Sequence, residues 1–208
     1  MKTPLDHLVY AAPTLEAGML AVEALLHTAP VMGGQHKGRG THNALVGLGA
    51  GCYLEIIAPD SNQPRVPPPL WMGVEMVARP QLIAWALKSD RLPEIAALSK
   101  RQGLPLGSLS EGQRTRPDGV VLRWRLIEPS TRLAEGVFPF FIDWGDSPHP
   151  AAALPQAGQV LALRAIHPFP EILTEHLHHL GVSIEVVHGD VPGLCAQIQT
   201  PHGLVVLR

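Results

Sequence analysis

Apolar and polar positions alternate in short runs along this chain, broken by three stretches in which the apolar residues recur every three or four positions. Period two marks a half-buried strand and a period near 3.6 an amphipathic helix. Residues 5–11 read as a strand. Leu15, Met19, Val22 and Leu26 then form a stripe at spacings of four, three and four, which predicts a helix over 14–27 with Thr14 as its N-cap. A Gly-rich loop at 33–41 follows, then strands over 42–48 and 52–58 joined by the turn Gly49-Ala50-Gly51. The last stretch has the same order. It gives a strand at 160–166, a helix at 171–180 with Leu173, Leu177 and Leu180 aligned and Gly181 as C-cap, and strands at 182–187, 194–200 and 204–208. The middle gives a strand at 82–88, a helix at 92–102 ended by Gly103, and strands at 120–127 and 138–144, the first of these after the turn Arg116-Pro117-Asp118-Gly119.

The recurrence predicts an α+β protein of repeated βαβββ units forming a cup-shaped sheet with helices on the outer face. The units span residues 1–62, 70–146 and 158–208, with Pro-rich connectors at 64–70 and 147–155. In the first unit the alternation puts Leu8, Leu54 and Ile56 on one face and His7, Val9, Tyr53, Glu55 and Ile57 on the other. If the first set packs on the helix, the second lines the cup. Pairing of the first and last strands then makes His7 and Glu55 neighbours.

Composition narrows the setting. Apolar residues make up 46% of the 208 and charged residues 16%, the balance of a globular chain. A formal net charge of -2 with no basic stripe gives no reason to expect nucleic acid as a partner, and the apolar runs are too short for a membrane span. The N-terminal residues carry no signal-peptide pattern, and Cys52 and Cys195 sit in separate apolar runs as reduced core residues. A cytoplasmic protein is expected.

An imidazole and a carboxylate in the middle of apolar strands are costly to bury unless paired or bound to something. Folding requires neither His7 nor Glu55, so they are the leading candidates for chemistry. The loop and the strand after it add His36, Lys37, Arg39, His42 and Asn43 among glycines that permit close backbone approach to a ligand. Of these, Arg39 has the chemistry to hold an anion, while His36, His42 and Asn43 are candidate substrate contacts. Arg123 and Arg125 alternate with Leu122, Trp124 and Leu126. They form either the solvent face of a strand or, if the apolar set faces helices, an anion clamp inside the cup. His176, His178 and His179 read as a solvated helix face. No Gly-x-Gly run links a strand to a helix in the dinucleotide-binding manner, so no nucleotide cofactor is expected.

Three segments carry a family resemblance. Leu5-Asp6-His7-Leu8-Val9-Tyr10-Ala11, then Gly33-Gly34-Gln35-His36-Lys37-Gly38-Arg39-Gly40-Thr41 running on to Asn43 and Leu45, then Tyr53-Leu54-Glu55-Ile56-Ile57-Ala58 resemble the glyoxalase-like domain of the vicinal oxygen chelate superfamily. The resemblance implies a divalent metal (Zn, Fe, Mn, Ni or Co) chelating two substrate oxygens, with His7 and Glu55 as ligands from the first unit and Asp143 as the available ligand from the second. Ala84 stands near the place where a second His would be expected, so the partner half-site is missing or displaced. The expected function is a metal-dependent lyase, isomerase or dioxygenase acting on a small oxygen-rich, anionic molecule, with Glu55 as catalytic base where no metal is bound. The alternative is a non-catalytic binding or sequestering protein of the bleomycin-resistance type. A homodimer is a further implication, since cups of this superfamily are often completed across subunits.

Overall fold

The computed structural model describes residues 3–49, 51–63, 66–104, 106–116, 118–129 and 136–208. Ala50 and Pro117 of the two predicted turns, and Pro64 and Arg65 of the first connector, lie outside the described residues. The chain begins with β1 (Leu5–Ala11), α1 (Leu15–Leu26), β2 (Val31–His36), β3 (Thr41–Gly47) and β4 (Tyr53–Pro59). A second set follows as β5 (Gln81–Lys88), α2 (Leu92–Arg101), β6 (Leu106–Thr115), β7 (Val121–Pro129) and β8 (Phe140–Asp143). The third is β9 (Gln159–His167), α3 (Pro170–His179), β10 (Glu185–His188), β11 (Gly193–Thr200) and β12 (Gly203–Leu207). Short 3-10 helices occupy Trp71–Met76 and Pro150–Ala153.

The first eight strands form one curled sheet in the order β2-β3-β4-β1-β5-β8-β7-β6. Within each set the first strand pairs in parallel with the last, β1 with β4 and β5 with β8, and antiparallel pairing of β1 with β5 joins the sets. The two edges of the sheet approach each other: a Cβ added at Gly34 on β2 would lie 2.8 Å from the Thr115 carbonyl oxygen on β6. The last four strands form a separate sheet ordered β10-β9-β11-β12, in which β9 pairs in parallel with β10 rather than with the final strand.

The alternation sorts residues onto two cores. Leu8, Leu54, Ile56, Trp85 and Phe141 pack on the helix side and merge with Ala165, Leu173 and Leu194 of the last set. Val9, Tyr53, Ile57, Ala84, Ala86, Trp124 and Phe140 fill the concave side. Trp85 is nearly fully buried and donates its indole N–H to the Val137 carbonyl at 2.7 Å, so its one polar atom is satisfied. Cys52 and Cys195 are both buried and free. No helix among the described residues is long and apolar enough to cross a membrane.

Two strands differ from the sequence expectation. The first half of the predicted Gly-rich loop is β2, which pairs with β3 from Val31 to His36 through a register shift between Met32 and Gly34. Its two glycines hide the alternation. The second is β6, whose sequence Leu-Gly-Ser-Leu-Ser-Glu-Gly-Gln-Arg-Thr is polar and largely exposed, and so carries no period to read.

The helix–sheet contact depends on Gly18. A Cβ there would stand 2.5 Å from Ile56 Cγ2 and 2.9 Å from Ala12 Cβ, both anchored on the sheet. Alanine favours helix over glycine by about 1 kcal/mol, but overpacking against a rigid branched side chain outweighs that gain. Gly18→Ala is expected to lower stability by about 1–3 kcal/mol in a denaturant titration; a stabilised variant would show that α1 can lift off the sheet without loss.

Candidate functional site

Parallel pairing of β1 with β4 sets His7 opposite Tyr53 and Val9 opposite Glu55, so His7 and Glu55 lie diagonally on the concave face. His7 Nε2 stands 3.6 Å from Glu55 Oε2. Both side chains are buried, at 3% and 4% exposure. The His7 ring is stacked on Tyr53, with centroids 4.6 Å apart, and meets Phe140 edge-on at 5.2 Å. Aromatic walls on both sides fix its plane.

Asp6 joins this cluster although it is His7's sequence neighbour. The β1–β5 register shifts between Leu5 and His7, leaving Asp6 as the extra residue of a bulge, and a bulge re-aims side chains that would otherwise alternate. Asp6 Oδ1 lies 2.6 Å from His7 Nδ1, while Oδ2 takes the Trp144 indole N–H at 3.1 Å and lies 3.0 Å from His149 Nε2. Burial alone pushes the Asp6 carboxyl up. The hydrogen bonds from His149 and His7 overcome it and hold the group at about 2. A carboxylate on Nδ1 fixes the proton there and turns the Nε2 lone pair toward Glu55.

On the other side of Glu55, Asn43 Nδ2 donates to Oε1 at 2.6 Å and stands 3.2 Å from His36 Nε2, which is itself 3.5 Å from Oε1. His36 Nδ1 meets Thr41 Oγ1 at 2.9 Å. Burial lowers the His36 pKa to about 4 despite the nearby Glu55 carboxylate, with Arg114, Arg39 and His42 adding to the fall, so the ring is neutral at pH 7. Above it lies a polar–aromatic layer. Trp71 packs edge-on at 4.8 Å, the Arg39 guanidinium sits 4.4 Å from the Trp71 ring centroid, and Glu128 takes both the Trp71 N–H (2.6 Å) and Arg39 Nη1 (2.9 Å). His36, Arg39, Trp124 and Trp144 border an open cavity of about 850 Å³. His36 is therefore the member of the cluster that faces this entrance.

The structure brings together His7, Glu55, Asn43 and His36, with Arg39 above them. His42 takes the opposite phase to Asn43 on β3 and lies 3.9 Å from Asp60. Arg123 and Arg125 are exposed because Leu122, Trp124 and Leu126 supply the concave core, which is the solvent-face arrangement. Asp143 alternates away from Phe140 and Ile142 of that core and pairs with Arg125, its other oxygen accepting the Gly145 N–H at 2.9 Å. These three residues border the cavity rim and do not contact His7 or Glu55. Asp6, Arg114, His149 and Trp144 are site residues that sequence reasoning misses. Strict alternation turns Asp6 away from His7, Trp144 ends the strand expected at 138–144 with no chemistry assigned to it, and Arg114 and His149 come from segments with no motif.

His7 and Glu55 have the right chemistry for a divalent ion, and Asp6 on His7 Nδ1 is the outer partner that ligating histidines use. The facing half of the sheet offers nothing comparable. Ala84 and Ala86 pair with Val9 and His7, and Phe140 and Ile142 fill the corresponding part of β8. No three His, Cys, Asp or Glu side chains among the described residues are grouped to hold one ion. Asp143 does not complete the set, and the protein donors are too few for a closed metal centre.

The glyoxalase-like domain family matches this chain over residues 5–181. A crystal structure of a hypothetical protein from Staphylococcus aureus has a TM-score of 0.72 at 12% identity, covering 98% of each chain. A Streptomyces coelicolor methylmalonyl-CoA epimerase variant in complex with 2-nitronate-propionyl-CoA has a TM-score of 0.50 at 16% identity, over 72% of this chain and 100% of that one. At these identities the likeness is one of fold. No curated protein matches the chain.

The buried neutral state of His36 has a measurable consequence. Its folded-state pKa of about 4 lies below the ordinary histidine value of 6.5, so the unfolded chain binds the proton first as pH falls. Stability is expected to be full above pH 6.5 and to decline by about 3 kcal/mol toward pH 4. Urea titrations across that range should show the loss, and His36→Gln should flatten it. An unchanged slope in the variant would assign the pH dependence to other groups.

Proposed function

The chain belongs to the glyoxalase-like domain family of the vicinal oxygen chelate superfamily, and on that premise we propose that it is a lyase or isomerase that moves a proton next to the carbonyl of a small oxygen-rich anion. The observation that carries this reading is the convergence of Glu55 and His7 at 3.6 Å, each held by its own partner, Asn43 on Glu55 and Asp6 on His7. A carboxylate in a water-poor site is a competent base for a carbon acid once substrate is positioned against it. Glu55 would take the proton, and His7 Nε2, with Nδ1–H fixed on Asp6, would accept it from Oε2 and return it to the product. The Asn43 amide holds the carboxylate in place through Oε1, leaving Oε2 to face His7 Nε2. A bound metal would add polarisation of the substrate oxygens, with His7 and Glu55 as its protein ligands.

The second reading, a binding or sequestering protein, is favoured by the incomplete donor set. Exchange chemistry separates the two. Incubation in D2O with a panel of 2-oxo acids, 2-hydroxy acids and CoA thioesters, monitored by NMR, is expected to show deuterium entering at the carbon beside the carbonyl of one class. Glu55→Gln should slow that exchange by about a hundredfold or more. Elemental analysis of the same preparations reads metal content in wild type, His7→Ala and Glu55→Gln. Tight binding of a compound that never exchanges, with or without added divalent ions, would replace the enzyme reading with the binding one.

A further inference from the structure

Among the described residues, Arg114 on β6 is a buried cation without a partner. It is 4% exposed, and among the described residues it donates no hydrogen bond and closes no ion pair. Tyr53 and Glu55 act on it only through space, and burial pulls its pKa below the ordinary guanidinium value without discharging it. A buried charge in this state is expensive. An anion from outside the chain would complete it.

The guanidinium opens on a cleft of about 230 Å³ whose other walls include Val31, Met32, Leu45, Leu122 and Leu154. Arg116 and Asp118 stand at the same cleft but neutralise each other at 2.7 Å, which leaves Arg114 as its uncompensated charge. A second unfilled group lies beside it. Asn43 has turned Nδ2 to Glu55 and His36, and its Oδ1 is buried with no donor. Gly33 brings the two together. A Cβ there would lie 2.1 Å from Asn43 Oδ1 and 2.7 Å from Arg114 Nη1, so only glycine leaves both groups in place.

We propose that Arg114 forms a recognition site for a short-chain aliphatic carboxylate. The carboxylate is held by the guanidinium, and the hydrocarbon tail lies along the leucine, valine and methionine wall. The geometry supplies each part of that ligand. A planar fork of donors suits a carboxylate, and apart from the Arg116–Asp118 pair the remaining lining is apolar. Since a cavity of about 150 Å³ holds benzene, this cleft has room for a six-carbon acid. Leu45 is the cross-strand partner of Glu55, so the ligand would lie beside the proposed base. Any reaction of the bound acid rests on the proton-transfer reading, whereas binding itself does not require it.

Calorimetric titration of the whole protein with hexanoate and hexan-1-ol tests the site. Hexanoate is expected to bind and the alcohol not to bind. Arg114→Met should reduce affinity for hexanoate about tenfold or more while leaving the thermal midpoint equal to or above that of wild type, because it removes an uncompensated charge. Arg114→Lys keeps the charge but loses the fork and should bind with intermediate affinity. Glu55→Gln should keep binding, so a loss of exchange there with binding intact speaks to the reaction alone. Absence of carboxylate binding by wild type, undiminished binding by Arg114→Met, or a marked fall in that variant's thermal midpoint would overturn the assignment.

Discussion

The placement of β1 between β4 and β5 governs the rest of this structure. As the strand shared by the two halves of the curled sheet, β1 is covered on both edges and both faces, and its register decides which residues meet in the cup. One residue of slip would turn every side chain of the strand to the opposite face. The register is held by apolar residues on both sides, Leu8 and Tyr10 toward the helices and Val9 and Ala11 toward the concave core. With it fixed, His7 can face only Glu55. The bulge at Asp6 is the single local exception, and it adds a carboxylate to the face that alternation would have denied it.

That exception marks the limit of what the sequence discloses. The opposed faces of β1 and β4 come from counting by twos, and the His7–Glu55 neighbourhood from the parallel pairing that a βαβββ order implies. A bulge leaves no such trace, so Asp6 reads as an outward residue unless the β1–β5 register is known. The same holds for β2 and β6. Two adjacent glycines and a run of polar residues carry no hydrophobic period, yet these strands bring Gly33 and Arg114 to the site. Arg123 and Arg125 have two readings because the pattern of β7 says which residues share a face but not which face is concave. Packing of Leu122, Trp124 and Leu126 with Val9 and Tyr53 decides it.

The site is a run of polar groups threaded through an aromatic and aliphatic interior. From His149 the contacts pass to Asp6, His7, across to Glu55, then to Asn43, His36 and Thr41. Neighbouring links in such a run polarise one another, and a group removed from the middle leaves two others without partners. The cluster also ties distant pieces of chain together. Asp6 holds the 144–149 segment through Trp144 and His149, and Glu128 holds the Trp71–Arg39 cover over His36. Access to the cluster and its anchorage therefore depend on the same few side chains.

The two halves of the sheet repeat one topology with opposite contents. Where the first carries His7 and Glu55, the second carries Ala84, Ala86, Phe140 and Ile142. A duplicated scaffold of this kind separates tasks that compete within a single copy. The apolar half contributes cohesion and keeps its shape, and the polar half can hold buried, poorly solvated groups that would undermine a domain standing alone. Asymmetry between the two topologically matching halves lets the apolar copy anchor the copy that carries the buried polar cluster.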